Sequence, residues 1–259
     1  TKRLLYPPPC YNNQPDKKMA DVTLADHVRL NPCLSQVFEG LGLDFCCKGL
    51  TPLGKALEEK GISSSLPDIL AKMEKCKTEN AARVAEGHSE LRCNDMSSKD
   101  LVRHIIDTHH AYLRREIPPL QQLMEKVARV HGHNHPELIP LRDTVIKTTS
   151  DLLIHLDEEE AGIFKTLSEV DEKDLTQEQI DTILAQIDSL EADHKRDGGA
   201  LDSAEELTNS YTLPGDACNS YRALYARLQA FESDIHHHVH KENYILFPRI
   251  AALKKQNYA

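Results

Sequence analysis

The sequence predicts an all-α protein, an up-down-up-down four-helix bundle preceded by a small helical domain. In residues 97–253, four long segments repeat apolar side chains every three or four positions, as on the buried face of a helix. Short connections such as SYTLPGDA join these segments, which favours antiparallel neighbours. The alternating pattern of β-strands is nearly absent.

The parts of the chain before and after the bundle differ in pattern. Residues 1–20 are rich in Pro and Asn and are predicted to form a disordered lead. Residues 21–77 carry about four short helical patterns, which predict a small helical domain. Residues 78–96 have no clear periodicity and are interpreted as a linker, and residues 254–259 as a tail.

The four bundle helices are predicted to span 97–130, 138–168, 176–208 and 217–253. Two of them open with a capping box, Ser97-x-x-Asp100 and Thr176-x-x-Gln179.

Composition excludes several classes of partner. The 259 residues carry a net charge of 31 − 41 = −10, which disfavours nucleic acid and acidic membrane surfaces. No apolar run approaches the roughly 20 residues of a membrane span, and the first residues lack a signal-peptide core. Seven cysteines without a secretory signal indicate a reducing compartment, so we expect a cytoplasmic protein.

Each bundle helix places metal-ligating side chains on its apolar stripe. In DIHHHVHKENYILFP, the stripe through Leu228, Phe231 and Ile235 continues through His238 and Glu242. The other three helices do the same with a His or a His-x-x-x-Glu pair. The six residues predicted to face inward are His110, His155, Glu159, His194, His238 and Glu242.

Other polar residues of these segments are predicted to lie off the stripes. Glu158 and Glu160 are assigned to a solvated acidic face, and three histidines to the surface or, at most, to contacts with the ligands: His236, His237 and His240. His104 and His109, which lies at the edge of its stripe, are expected to hydrogen-bond near the site.

Six buried groups of this kind need partners, because each would otherwise cost several kcal/mol. A network of His–Glu hydrogen bonds is one interpretation; convergence from four helices favours metal. The absence of thiolate from the stripes disfavours a structural zinc site. Four imidazoles and two bridging carboxylates suit two iron or manganese ions, each with an open position for O₂, NO or peroxide.

Four segments carry a family resemblance: HHAYLRREIPPL, LIHLDEEEAGIF, EADHKRDGGAL and HVHKENYILFPRI. They resemble the ligand segments of the hemerythrin-like domain and, more closely, of the iron–sulfur cluster repair di-iron proteins, the RIC family. The resemblance implies that the six inward residues bind two non-heme iron ions with an oxo or hydroxo bridge. Oxygen-carrying hemerythrins have a further His where this chain has Gly198, which implies a more open iron.

The N-terminal stretch is similar to the small domain of the same family, whose adjacent cysteines follow Asp-Phe or Asp-Tyr. Here the pair is Cys46-Cys47. By resemblance it is a candidate catalytic pair that passes electrons, holds iron in transit or contacts a partner; two ordinary buried thiols are the alternative. The family continues with Gly-Gly, whereas this chain has Lys48-Gly49.

The resemblance implies a stress-response protein that repairs iron–sulfur clusters after oxidative or nitrosative damage, by iron donation, NO reduction or both. Its implied partners are damaged iron–sulfur proteins and O₂ or NO, with no nucleic acid or membrane, in a monomer or homodimer. Whether it is an enzyme of the NO reductase type is left open. The alternative is a hemerythrin-like module that binds or senses O₂ or NO without turnover.

Overall fold

The computed structural model describes residues 19–85, 93–171 and 175–256. These residues are helical and contain no β-strand; Thr23 and Pro52 form an isolated bridge. They fall into two compact units, one formed by Thr1–Met96 with Val239–Ala259 and the other by Ser97–His238. Most of the predicted lead and half of the predicted tail lie outside the described residues.

The first unit contains four N-terminal helices: α1 (Leu24–Leu30), α2 (Leu34–Glu39), α3 (Leu53–Glu59) and α4 (Leu66–Ala85). Thr23 caps α1 by accepting the backbone N–H of Asp26, as the Thr of TLADHVRLNP predicts. The helices bury a common apolar core around Phe38, Phe45 and Met73, each with no exposed surface. Burial of these apolar side chains stabilises a domain that is too small to form a large core.

Helix α4 runs further than the sequence pattern indicates. It continues to Ala85, so the linker predicted at 78–96 begins inside a helix, and residues 86–92 lie outside the described part. Its last turns have no apolar periodicity, but good helix formers and ion pairs such as Lys75–Glu79, 3.7 Å apart, favour the helix there.

The second unit holds the bundle, whose helices are α5 (Ser98–Ile105), α6 (Ala111–His131), α7 (Leu138–Ala161), α8 (Ile163–Glu169), α9 (Gln177–Leu207) and α10 (Asn219–Lys241). The last three residues of α10 belong to the first unit.

Contacts between side chains of neighbouring helices show in which direction each helix runs. Early in α6, Arg114 pairs with Asp157 late in α7, whereas further along α6 Gln121 contacts Thr149. Further pairs with this antiparallel order are Lys126–Ser220 and His109–Asp234. The predicted up-down-up-down bundle is confirmed.

The predicted apolar stripe of α10 faces the core: Leu224, Leu228, Phe231 and Ile235 are all buried. In the first bundle helix, Ile105 is buried in place of the predicted Ile106, which is half-buried. The capping box at Thr176 is present in full, and the hydroxyl of Ser97 caps α5 by accepting the backbone N–H of Asp100. None of the described helices combines the length and low polarity that crossing a bilayer requires.

Two π-helical turns interrupt otherwise regular helices. One spans Ile106–His110 between α5 and α6, and the other spans Glu242–Leu246 between α10 and the final helix α11 (Pro248–Gln256). A π turn holds more residues than an α turn, so it rotates the side chains that follow it around the helix. Both turns contain residues predicted to bind metal.

Candidate metal centre

Glu159 is a fully buried carboxylate of the bundle. It has no exposed surface, and within the described residues neither of its oxygens accepts a hydrogen bond. Instead, three imidazole Nε2 atoms face it: those of His155 and His194 lie 3.3 and 3.9 Å from Oε1, and that of His110 lies 3.5 Å from Oε2. An ionised carboxylate buried in this way needs a cation, because it would otherwise cost several kcal/mol.

The histidines around Glu159 form two close pairs. His110 and His238 bring their Nε2 atoms to 3.1 Å, and His155 and His194 bring theirs to 3.2 Å. All four rings are buried. Two nitrogens bound to one ion at about 2.1 Å and at right angles lie about 3 Å apart. Each pair therefore has the spacing of two ligands of a single ion.

Glu159 belongs to both groups. One ligand atom from each of His110, Glu159 and His238 lies within 4.8 Å of the others, and the same holds for His155, Glu159 and His194. A carboxylate has two oxygens, so it can serve an ion on each side. The donor chemistry, imidazole nitrogen with shared carboxylate and no thiolate, fits a pair of iron or manganese ions.

Glu242 is also fully buried. It is the first residue of the second π turn and follows His238 by four residues along the same helical segment. The division between the two compact units falls between these residues.

Glu160 is only partly on a solvated face: 32% of its side chain is exposed, and its carboxylate also reaches the buried His110. Its Oε1 accepts a hydrogen bond of 2.8 Å from Nδ1 of His110 and one of 2.9 Å from Arg114. Burial raises the pKa of Glu160, but the bonds from Arg114 and His110 outweigh this, so the pKa lies below its usual value. A proton held on Nδ1 by Glu160 leaves Nε2 as the nitrogen of His110 that can face the centre.

Replacement of Glu160 by glutamine is expected to weaken metal binding about 10- to 100-fold. The amide still accepts from His110 but lacks the charge that makes the ring a better donor to metal. Competition with a coloured chelator measures the affinity. Glu158→Gln, at an exposed neighbouring position, is the matched control and should leave the affinity unchanged; equal effects of the two substitutions would contradict this role.

His109 is buried, although its sequence position places it at the edge of the stripe. Its ring lies parallel to that of His238, with centroids 5.6 Å apart and a 12° angle between planes. Its Nδ1 donates to Asp234, 2.9 Å away. The π turn explains why His109 and His110, adjacent in sequence, are both buried. His109 therefore supports the candidate ligand His238 and makes a hydrogen bond near the site, as predicted.

His240 departs from its predicted surface position. It is buried, and its ring meets that of Phe45 edge-on with centroids 5.5 Å apart. Its Nδ1 donates weakly to the Phe45 carbonyl at 3.4 Å. His236 and His237 are half-buried, and His237 donates to the carbonyl of Ser233. Helical phase could not reveal the position of His240, because the residue that covers it lies 195 positions away.

The candidate catalytic cysteines lie in the loop between α2 and α3. Cys46 is fully buried and Cys47 is half-buried; both are free thiols, and their sulfurs are 3.6 Å apart.

The structure explains why a glycine follows Lys48 in this loop. A Cβ at Gly49 would collide with the Phe45 carbonyl and lie 2.8 Å from the ring of Tyr244. Glycine is therefore required at 49, whereas Lys48 is exposed.

Gly49→Ala is expected to destabilise the first unit by about 1–3 kcal/mol, because the backbone of Phe45 cannot move aside freely. Urea unfolding measures the loss. Lys48→Gly adds the family's usual residue at an exposed position and should cost about 1 kcal/mol or less. The steric account fails if Gly49→Ala unfolds at the wild-type midpoint.

A helical bundle that gathers buried imidazoles around a shared carboxylate defines a hemerythrin-like cation-binding protein. Residues 101–250 match the hemerythrin HHE cation binding domain, and residues 20–77 match a domain of unknown function, DUF542. The chain belongs to the hemerythrin HHE family and, within it, to the iron–sulfur cluster repair proteins that its sequence resembles.

The similarity to individual relatives extends over most of the chain. The iron-sulfur cluster repair protein ScdA of Staphylococcus haemolyticus is 31% identical over 221 residues, which are 85% of this chain and 93% of that protein. The probable iron-sulfur cluster repair protein of Haemophilus influenzae is 31% identical over 219 residues, 85% of this chain and 92% of the relative. ScdA of Staphylococcus epidermidis is 29% identical over 228 residues, 88% and 97% of the two chains.

Proposed function

We propose that this chain carries two non-heme iron ions and repairs iron–sulfur clusters damaged by oxidative or nitrosative stress in the cytoplasm. The observation that carries the proposal is the buried Glu159 carboxylate, which lacks hydrogen bonds from the described residues and faces ring nitrogens from both histidine pairs. The names of the relatives support the repair role.

The proposed ligands fall into two groups, one for each ion. His110 and His238 hold one ion, and His155 and His194 hold the other, because each pair is spaced as two ligands of one ion. Glu159 serves both, since it belongs to both groups. When bound, the iron pair supplies one-electron redox chemistry and iron that can be passed to a damaged cluster.

Glu242 is proposed as the second shared carboxylate. It is buried and follows His238 by four residues, the spacing that places two side chains on one face of a helix. Four imidazoles and two shared carboxylates would leave room at each ion for O₂ or NO.

The surrounding residues keep the donors in a reactive state. Burial excludes water from the four imidazoles and Glu159, which strengthens the attraction between carboxylate and cation. Glu160 holds the proton of His110 on Nδ1, and Asp234 does the same for His109. Nε2 of His110 is therefore set for metal before any ion arrives, and His109 is held against the ring of His238.

Recovery of a peroxide-damaged iron–sulfur dehydratase, without added iron, tests the function. With a thiol reductant present to supply the electron that cluster rebuilding needs, the iron-loaded protein is expected to restore activity while its own iron content falls, and the Glu159→Gln variant should not. NO consumption with N₂O release under a reductant would show that NO reduction contributes. Reversible O₂ or NO binding by a fully loaded protein that restores no activity would contradict repair and favour the binding or sensing alternative.

A further inference from the structure

The loop that carries Cys46 and Cys47 is built around one carboxylate. Oδ1 of Asp44 accepts the backbone N–H groups of Cys46 and Cys47 at 2.9 and 2.8 Å, and Oδ2 accepts that of Lys48 at 3.2 Å. The Cys46 thiol also donates to Oδ1, at 3.1 Å. These bonds fix the backbone from 44 to 48, so the two thiols and the carboxylate are held together before any ligand binds.

The three side chains also have the spacing of metal ligands. One carboxylate oxygen of Asp44 and the sulfurs of Cys46 and Cys47 all lie within 4.8 Å of one another. Two sulfurs bound to one tetrahedral ion at about 2.3 Å lie about 3.8 Å apart. The observed distance of 3.6 Å is close to that value and well beyond a disulfide bond.

We propose that Asp44, Cys46 and Cys47 form a second metal site, which takes a borderline-soft divalent cation of the Zn²⁺ or Fe²⁺ class. Thiolate donors select these ions over Mg²⁺ or Ca²⁺. Binding of the cation releases the thiol protons of Cys46 and Cys47 to solvent, and no electron is transferred. The site goes beyond the His/Glu centre, whose ligand set contains no sulfur.

The donor set of this loop favours reversible binding, in which the metal ion can be released or exchanged. It offers three protein donors, so a fourth position remains for water or for a donor from a partner. Three protein donors hold an ion less tightly than a closed four-thiolate site does, so an ion bound here can be given up.

Access is also compatible with exchange. Cys47 is half-buried rather than enclosed, and Leu50, three residues later, is 74% exposed. An ion bound here can be reached from solvent without unfolding of the loop.

Titration of the reduced full-length chain with Cd²⁺ tests the proposal, because thiolate-to-cadmium charge transfer absorbs in the ultraviolet and imidazole or carboxylate ligation does not. We expect one thiolate-bound equivalent. Cys46→Ser and Cys47→Ser should each abolish this band, and Asp44→Asn should weaken it. Cys218→Ser, at an exposed position, is the matched control and should retain it.

Alkylation followed by mass spectrometry provides a readout that does not depend on the band. Zn²⁺ is expected to protect Cys47 but not Cys218 from iodoacetamide. Wild-type protein without the band and without protection, or a band that persists in Cys47→Ser, would overturn the proposal. Iron content of the His/Glu centre, measured in the same cysteine variants, should stay at the wild-type value, so failure of this site is distinguishable from failure of the bundle centre.

Discussion

Glutamine in place of Glu159 is expected to remove both metals, whereas alanine in place of His194 should remove only one. Glu159 belongs to both ligand groups, while His194 belongs to the group with His155 alone. Metal analysis by mass spectrometry should give about two ions per chain for the wild type, close to none for Glu159→Gln and about one for His194→Ala.

The metal-free proteins provide the control for folding. Glutamine is neutral, so burying it costs less than burying a carboxylate without hydrogen bonds. Metal-free Glu159→Gln is therefore expected to unfold at the same urea concentration as the metal-free wild type, or at a higher one. Glu158→Gln, at an exposed position, should keep both ions. Equal metal contents in Glu159→Gln and His194→Ala would contradict a shared carboxylate.

Removal of metal from the wild-type protein is expected to cost several kcal/mol of unfolding free energy. In the metal-free protein, the six buried residues of the proposed centre have no cation to coordinate, and an ion that binds only the folded state contributes about 4 kcal/mol at a thousand times its Kd. Urea unfolding with and without a chelator measures the difference.

The Glu159→Gln variant, which is expected to bind no metal, decides whether this stabilisation comes from the centre. Chelator should leave the unfolding midpoint of Glu159→Gln unchanged, because no ion is bound there to remove. A wild-type midpoint that does not move with chelator, or an equal shift in Glu159→Gln, would show that the buried cluster is satisfied by protein groups alone.

Helical phase was sufficient to find the candidate ligands. A polar residue in register with Leu228, Phe231 and Ile235 must face the core, since the packing of a bundle fixes which side of each helix is buried. Helical phase therefore distinguishes His238 from the three other histidines nearby. It also predicts that His155 and Glu159 of α7 face inward, and all three residues are buried.

Phase was not sufficient where a helix departs from regular geometry. The π turn at Ile106–His110 buries His109 together with His110, and no residue type marks such a turn in the sequence. Gly162, with φ −110° and ψ −99°, likewise separates α7 from α8 in a segment predicted as one helix.

Helical phase also cannot predict contacts that a long side chain makes away from its own helix face, or contacts between residues far apart in the sequence. Glu160 points off the stripe, yet its carboxylate extends to Nδ1 of His110. His240 is buried because Phe45 covers it, and only the folded chain brings these two together. The side chains that tune a site are therefore harder to predict than its ligands, because their positions depend on tertiary contacts.

Iron X-ray absorption on protein purified without added metal, combined with metal analysis, tests the central claim most directly. Glu159 shared between two histidine pairs predicts about two irons per chain, nitrogen and oxygen donors in the bundle, and a second iron within about 4 Å of the first. A single isolated ion, or none, with the buried histidines and Glu159 still in place, would contradict it.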